Sequence, residues 1–168
     1  YGIYSMWSQR GNHVLYNRAA ATGLQTLEGR RSIGGIENPA TLEVSATLGS
    51  LLAVQGKYDE AEMYYLQALE GMRRILGDEH PSTLNTITSM GSLFIDQGMY
   101  DKAEMYYLQA LEGSRRSLGD EHPHTLYAIA KMGSLLRHQG QYDEAEAYSL
   151  QALEGSRRSL GDEHPDTL

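Results

Sequence analysis

The chain has 168 residues, with 14 Lys and Arg against 22 Asp and Glu and no cysteine. The formal net charge of −8 disfavours binding to nucleic acid or to an anionic membrane surface, because both need clustered cations. The lack of cysteine excludes disulfides and zinc–thiolate sites, and no apolar run reaches the ~20 residues that span a bilayer.

The prolines divide the chain into units of equal length. All four are spaced 42 residues apart: Pro39, Pro81, Pro123 and Pro165. Such regular spacing predicts a repeat protein. The predicted units are a degenerate first repeat at 1–37, complete repeats at 38–79, 80–121 and 122–163, and the start of another at 164–168. The last two complete repeats are identical at 30 of 42 positions, and we interpret the chain as a single solenoid domain from a longer array.

The first half of each repeat predicts a helix, helix A, of about 16 residues. Proline at the first helical position, with threonine two residues later, marks its start. Apolar residues at three- and four-residue spacing then predict one buried stripe. In the second complete repeat this stripe is Leu84, Ile87, Met90, Gly91 and Phe94. A glycine in the left-handed conformation is expected to end the helix, at Gly56, Gly98 and Gly140.

The second half predicts another helix, helix B. An Asp-x-x-Glu pattern, at Asp59, Asp101 and Asp143, predicts a capping box with aspartate as the N-cap. Near the helix end, Glu70 lies three and four residues before Arg73 and Arg74, which favours ion pairs within the helix. Glycines are expected to end it, at Gly77, Gly119 and Gly161. No segment alternates with period two, so the predicted class is all-α.

Glycines inside helix A indicate how the helices meet. Gly49, Gly91 and Gly133 occupy equivalent positions, where glycine costs ~1 kcal/mol relative to alanine. We infer that close approach of the two helices compensates. Because one helix pair cannot bury both its faces, neighbouring pairs must stack, and the predicted architecture is an α-solenoid of stacked antiparallel helix pairs.

These residues resemble the tetratricopeptide repeat, in a 42-residue form similar to the repeats of kinesin light chains and of fungal nucleotide-binding receptor-like proteins. The positions that match in the first complete repeat are Leu48, Gly49, Leu52, Gly56, Tyr58, Ala61, Tyr65 and Ala68. One departure is Ser149, which replaces the aromatic residue of Tyr65 and Tyr107 and which we interpret as tolerated packing variation. The resemblance implies a right-handed superhelix.

The resemblance also implies a concave, peptide-binding groove formed by the helix A faces. The first set of groove positions is Glu43, Ala46, Ser50, Ala53 and Val54. The second set is Asn85, Thr88, Ser92, Ile95 and Asp96. The third set is Tyr127, Ala130, Ser134, Arg137 and His138. The expected ligand is a peptide or protein segment, basic toward the first repeats and acidic toward the third.

The other polar clusters in the sequence are predicted to have structural roles and not to bind metal or phosphate. The Asp-Glu-His triplets that begin at Asp78, Asp120 and Asp162 contain metal-ligating side chains. Because the side chains of adjacent turn residues point in different directions, a structural turn is the better interpretation. The paired arginines are expected to form ion pairs rather than a phosphate site, and Tyr64-Tyr65 and Tyr106-Tyr107 to pack in the core. His138 is predicted on the groove side, where a contact through its imidazole would depend on pH.

No catalytic motif is present: the sequence has no cysteine nucleophile, phosphate-binding loop, HExxH or GxSxG. We therefore predict a non-enzymatic, cytoplasmic scaffold that needs no cofactor or metal and binds protein. Two alternatives are a sensor or oligomerisation arm of a larger nucleotide-driven receptor or motor-adaptor chain, and a module that self-associates end to end.

Overall fold

The computed structural model describes the backbone of residues 2–35 and 38–160. All regular structure in these residues is α-helical. The helices are α1 (Gly2–Gly34), α2 (Pro39–Val54), α3 (Tyr58–Leu76), α4 (Pro81–Asp96), α5 (Tyr100–Leu118), α6 (Pro123–His138) and α7 (Tyr142–Leu160). From α2 onward, helices of 16 and 19 residues alternate as helix A and helix B. The predicted all-α repeat architecture of helix pairs is confirmed.

Glycines end the helices as predicted. The φ angles of Gly56, Gly98 and Gly140, which follow helix A, are 76°, 72° and 79°. Gly77 and Gly119, which follow helix B, have φ angles of 92° and 89°. Glycine adopts this left-handed conformation without the steric cost that a side chain would add. The prediction for Gly161 lies outside the described residues.

The segment before the first complete repeat differs from a helix pair. Residues 2–34 form one continuous helix, α1, where a degenerate repeat would place a helix, a turn and a second helix. The position equivalent to the turn glycine Gly56 is Val14, which cannot adopt a positive φ at low cost. Farther along α1 the repeat register holds, because Leu27, the equivalent of Leu69, is 2% exposed.

The helices group into two compact units. The first covers Tyr1–Ile75 and the second Leu76–Leu168. In the first, α1 packs against α2, and Arg31 Nη2 donates a hydrogen bond of 2.8 Å to Gln67 Oε1 of α3. In the second, α4 packs against α5, α5 against α6, and α6 against α7, while α4 and α6 also touch. The second unit therefore contains two neighbouring helix pairs.

Helix A begins with a side-chain cap. The Asn38 side chain accepts a hydrogen bond from the backbone N–H of Ala40 at 2.9 Å. In the next two repeats His80 and His122 do the same through Nδ1, which accepts from the N–H of Ser82 and His124 at 3.2 Å. These bonds satisfy one of the amides that a helix leaves unpaired at its start. The sequence predicted the first residue of helix A correctly but did not reveal that histidine is its N-cap.

Helix B begins two residues earlier than predicted. The N-cap of α5 is Met99, which forms no side-chain cap, so the capping box predicted for Asp101 is wrong there. The turn explains the shift, because the N–H of Met99 is held by the carbonyl oxygen of Phe94 at 2.8 Å and the helix restarts at once. Asp101 instead lies in the first turn, where a carboxylate still interacts favourably with the helix dipole.

A tyrosine of helix B packs on the internal glycine of helix A. Tyr65 and Tyr107 are 3% and 2% exposed. A Cβ atom on Gly49 would lie 3.1 Å from the Tyr65 ring, and one on Gly91 would overlap the Tyr107 ring. Each tyrosine hydroxyl also hydrogen-bonds to a helix A serine at 2.9 Å, Ser50 in the first case and Ser92 in the second. The inferred close approach is confirmed.

Burial has an electrostatic effect on Tyr107. Desolvation raises the pKa of its phenol, although the hydrogen bond with Ser92 opposes the shift. Repulsion of the Tyr107 phenolate by Tyr127, in its phenolate form, and by the Asp96 carboxylate adds to the increase in the pKa. The hydroxyl therefore stays protonated and available for hydrogen bonding at neutral pH.

We predict that Gly91→Ala destabilises the second unit. The added methyl group would overlap the Tyr107 ring, and overpacking typically costs about 1 to 3 kcal/mol, more than the helix propensity gained. Urea denaturation measures the free energy of unfolding. Gly29→Ala in α1 is the control, because no atom lies within 4 Å of the added Cβ and the change should not lower stability. Equal losses in both variants would contradict the packing argument.

Candidate functional site

The second unit exposes most of the predicted groove residues of α4 and α6. Five of them form a surface that we call the α4–α6 face: Asn85, Asp96, Tyr127, Ala130 and Arg137, all exposed. Ser92, Ile95 and Ser134 are half-buried. The prediction that Thr88 is a groove residue is wrong. Its side chain is only 4% exposed, and its hydroxyl donates a hydrogen bond to the carbonyl oxygen of Leu84 at 3.0 Å. A threonine satisfied within its own helix can be buried, so Thr88 is not available to a ligand.

The first unit carries the predicted groove residues of α2. Glu43, Ser50 and Val54 are exposed, and Ala46 and Ala53 are half-buried. The Ser50 hydroxyl accepts a hydrogen bond from the Tyr65 hydroxyl and donates one to the carbonyl oxygen of Ala46, so it is already hydrogen-bonded within the protein. This set offers a carboxylate and an apolar side chain but no exposed aromatic ring.

Tyr127 is the most prominent side chain of the α4–α6 face. It is 47% exposed, and the Lys131 ammonium lies 5.2 Å from its ring centroid, a cation–π contact one helical turn away. Tyr127 borders two cavities. One, of about 260 Å³, is shared with Asn85, Pro123 and His124; the other, of about 480 Å³, extends to Leu126 and Ala152. The sequence did not single out Lys131, although its position four residues after Tyr127 is a usable signal.

His138 is engaged by a neighbouring repeat. Its imidazole lies 6.0 Å from the Tyr100 ring, centroid to centroid, with the two planes at 27°. The ring is therefore stacked at the end of α6 against the start of α5. Because one ring face is used in this packing, His138 can offer a ligand only its other face and its edge.

Two of the Asp-Glu-His triplets, those that begin at Asp78 and Asp120, have structural roles, and the third, from Asp162, lies outside the described residues. Glu79 accepts from Arg116 Nε at 2.9 Å, and Glu121 accepts from Arg158 Nε at 2.8 Å. Their histidines cap helix A. No group of three or more metal-ligating side chains occurs within the described residues. Glu79 and Glu121 thus each tie the start of a helix A to the end of helix B in the same repeat.

Arg115, Arg116 and Arg158 form ion pairs with partners other than the predicted glutamate of their own helix. Arg116 and Arg158 reach across to the turn before helix A, and Arg115 pairs with Asp120 at 3.0 Å. The sequence instead favoured the glutamate one turn earlier in the same helix. All these side chains are largely exposed, so each pair contributes on the order of 0 to 1 kcal/mol to stability.

Within the part of the chain that the structure describes, none of the helices combines the length and the apolar character needed to cross a membrane.

The helix pairs and their sequence signature define a family. The tetratricopeptide repeat family matches residues 40–116 and again residues 125–166. The chain belongs to the tetratricopeptide repeat family, whose members generally mediate protein–protein interaction. No curated protein matches the chain.

Solved structures share the fold. BtubC (BKLC) from P. vanneervenii superposes with a TM-score of 0.75 at 21% identity, over 96% of this chain and 62% of that chain. Kinesin light chain-like, nearly identical TPR-like repeats from Podosopora anserina are similar in two structures, with TM-scores of 0.71 and 0.69. Both are 20% identical over 86% of this chain, and it covers 68% and 69% of them. The chain is thus kinesin light chain-like in fold and spans less than two thirds of BtubC.

We predict that the stability of the second unit falls in mild acid through His124. Its imidazole stacks on that of His122, with centroids 5.5 Å apart, and burial lowers the pKa of His124, helped by repulsion from His122. Because the unfolded chain takes up the proton at the ordinary pKa of about 6.5, stability is present above that pH and is lost as pH falls through the folded pKa.

His124→Ser isolates this contribution, since Ser82 occupies the equivalent position in α4. Urea denaturation at about pH 7.5 and about pH 5.5 measures the loss of unfolding free energy on acidification. We expect a smaller loss in the variant than in the wild type. An equal loss in both proteins would contradict the role of His124.

Proposed function

We propose that the chain is a protein-interaction scaffold whose α4–α6 face binds a peptide or protein segment. The observation that carries this proposal is the position of Tyr127, an exposed aromatic residue between two cavities, one of them shared with Asn85. Both residues were predicted as groove positions from the sequence. Aromatic side chains beside pockets are common binding hot spots, because they bury a large area at a small entropic cost.

The chemistry of the face supports a ligand with mixed side chains. Asn85 offers amide donors and an acceptor, and Tyr127 a ring with a hydroxyl. Arg137 and Lys131 supply positive charge beside α6, while Asp96 is a carboxylate at the end of α4. An extended or short helical segment with an acidic residue near α6 fits this arrangement. A helical scaffold also loses little entropy on binding, because its face is already ordered.

The variation between repeats supports the same choice. Between residues 81–100 and 123–142, the helix A halves of the last two complete repeats, nine of 20 positions differ. In the helix B halves only three of 22 differ. Packing therefore preserves helix B, whereas the helix A face presents different chemistry in each repeat. The other predicted roles, a sensor or oligomerisation arm and end-to-end self-association, stay predictions.

We predict that Tyr127→Ala weakens the binding of a peptide selected on an array about tenfold or more, because it removes the central aromatic anchor. Asn85→Ala and Arg137→Ala should each weaken it by a smaller factor. Isothermal titration with the selected peptide measures the dissociation constants. The matched control is Met105→Ala on α5, which removes a side chain that is 71% exposed outside the face and should leave affinity unchanged. If peptides bind and none of the three face variants weakens them, the site assignment is wrong.

A further inference from the structure

The third complete repeat lacks the tyrosine that packs the other two. In α3 and α5 the equivalent residues, Tyr65 and Tyr107, are buried against a helix A glycine. In α7 the position is Ser149, which is exposed and donates a hydrogen bond of 2.8 Å to the carbonyl oxygen of Ala145. This serine turns back onto its own helix, so it does not replace the missing ring.

A cavity lies where the ring would be. It has a volume of about 420 Å³, is partly open to solvent, and lies between α6 and α7; we call it the α6–α7 cavity. Its lining includes Gly133, Ser134, Arg137, Ala145, Glu146 and Ser149. Cavities of about 150 Å³ already hold a benzene ring in other proteins, so the space is sufficient for an aromatic side chain. The substitution that looked like tolerated packing variation therefore leaves an unfilled site.

The lining matches a phenol in particular. Gly133 and Ser134 are the repeat equivalents of Gly91, on which the Tyr107 ring lies, and of Ser92, to which its hydroxyl bonds. A flat ring can lie on Gly133 because no Cβ projects there, and Ser134 can hydrogen-bond to a hydroxyl at the far end. Arg137 adds a guanidinium group, which favours an aromatic face.

We propose that the α6–α7 cavity binds the side chain of a tyrosine from a protein partner, with the ring on Gly133 and the hydroxyl at Ser134. The partner's tyrosine takes the place that the chain's own tyrosine takes in the two preceding repeats. This proposal rests on the proposed function, that the chain binds protein segments, and adds a specificity pocket next to the α4–α6 face. Ala130 and Arg137 belong to both surfaces.

The test uses N-acetyltyrosinamide as the probe and amide chemical shifts of the ¹⁵N-labelled chain as the readout. We expect saturable shifts at Gly133, Ser134 and Ala145. N-acetylphenylalaninamide, which lacks the hydroxyl, should bind about fivefold more weakly, the usual effect of one hydrogen bond. Ser134→Ala should remove this difference between the two probes. Equal affinities for the wild type would contradict recognition of a phenol.

Ser149→Tyr is the decisive variant, because it restores the residue found in the other repeats and fills the cavity from within. Binding of N-acetyltyrosinamide should be lost while the chain stays folded. Retained binding in this variant, or the absence of shifts at the α6–α7 cavity in the wild type, would overturn the proposal. Since the α4–α6 face is tested separately with Tyr127→Ala, failure of the cavity proposal does not imply failure of the proposed function.

Tyr107→Ser provides the reciprocal variant. It opens the equivalent space between α4 and α5, where Gly91 and Ser92 remain in place. N-acetyltyrosinamide should then raise the melting temperature of this variant more than that of the wild type, because ligand binding to the folded state stabilises it. An equal rise in both proteins would contradict the idea that the missing tyrosine defines the site.

Discussion

The contact between a helix A glycine and a helix B tyrosine is the constraint that sets the packing of two helix pairs, α2 with α3 and α4 with α5. Because glycine has no side chain, the tyrosine ring can lie directly on the helix A backbone, as Tyr107 does at Gly91. The hydroxyl then bonds to Ser92, so the buried polar atom keeps a partner. Gly91 and Tyr107 thus fix the spacing of the helices, and Ser92 satisfies the only polar group of the ring.

The same contact distinguishes helix B, which maintains the fold, from the exposed side of helix A, which can vary between repeats. Helix B varies little between the last two complete repeats because one of its sides is packed and its end is tied to the turn before helix A through pairs such as Arg116 with Glu79. Helix A varies more, and its exposed side carries Tyr127 and Asn85. One of the few changes in helix B is the replacement of Tyr107 by Ser149. A change at a packing position alters the surface as well, since it opens a cavity.

Much of the fold could be predicted from the sequence, because its signals are local. Proline, glycine and the spacing of apolar residues determine backbone conformation within one or two turns, and the predicted stripe, from Leu84 to Phe94, is buried. The failures involve competition between alternatives of similar energy. Asp101 could cap the helix or lie in its first turn, and Arg116 had carboxylates available both in its own helix and across the turn. The geometry of the turn determines which residue caps the helix and which carboxylate pairs with the arginine. That geometry cannot be derived from the spacing of residues in the sequence.

The candidate site was harder to predict for a different reason. Exposure depends on which neighbours pack on a helix, so the family resemblance placed the buried Thr88 in the same set as the exposed Asn85. The α6–α7 cavity arises from an absent side chain, whose consequence depends on whether the structure collapses around it. The sequence revealed the substitution at Ser149 but not its outcome.

The most direct measurement of this account is a crystal structure of the Ser149→Tyr variant. If the glycine–tyrosine contact defines the helix pair, the introduced ring should lie on Gly133, with its hydroxyl about 3 Å from Ser134 Oγ and the α6–α7 cavity filled. A ring that points into solvent, with the cavity still open, would contradict the account.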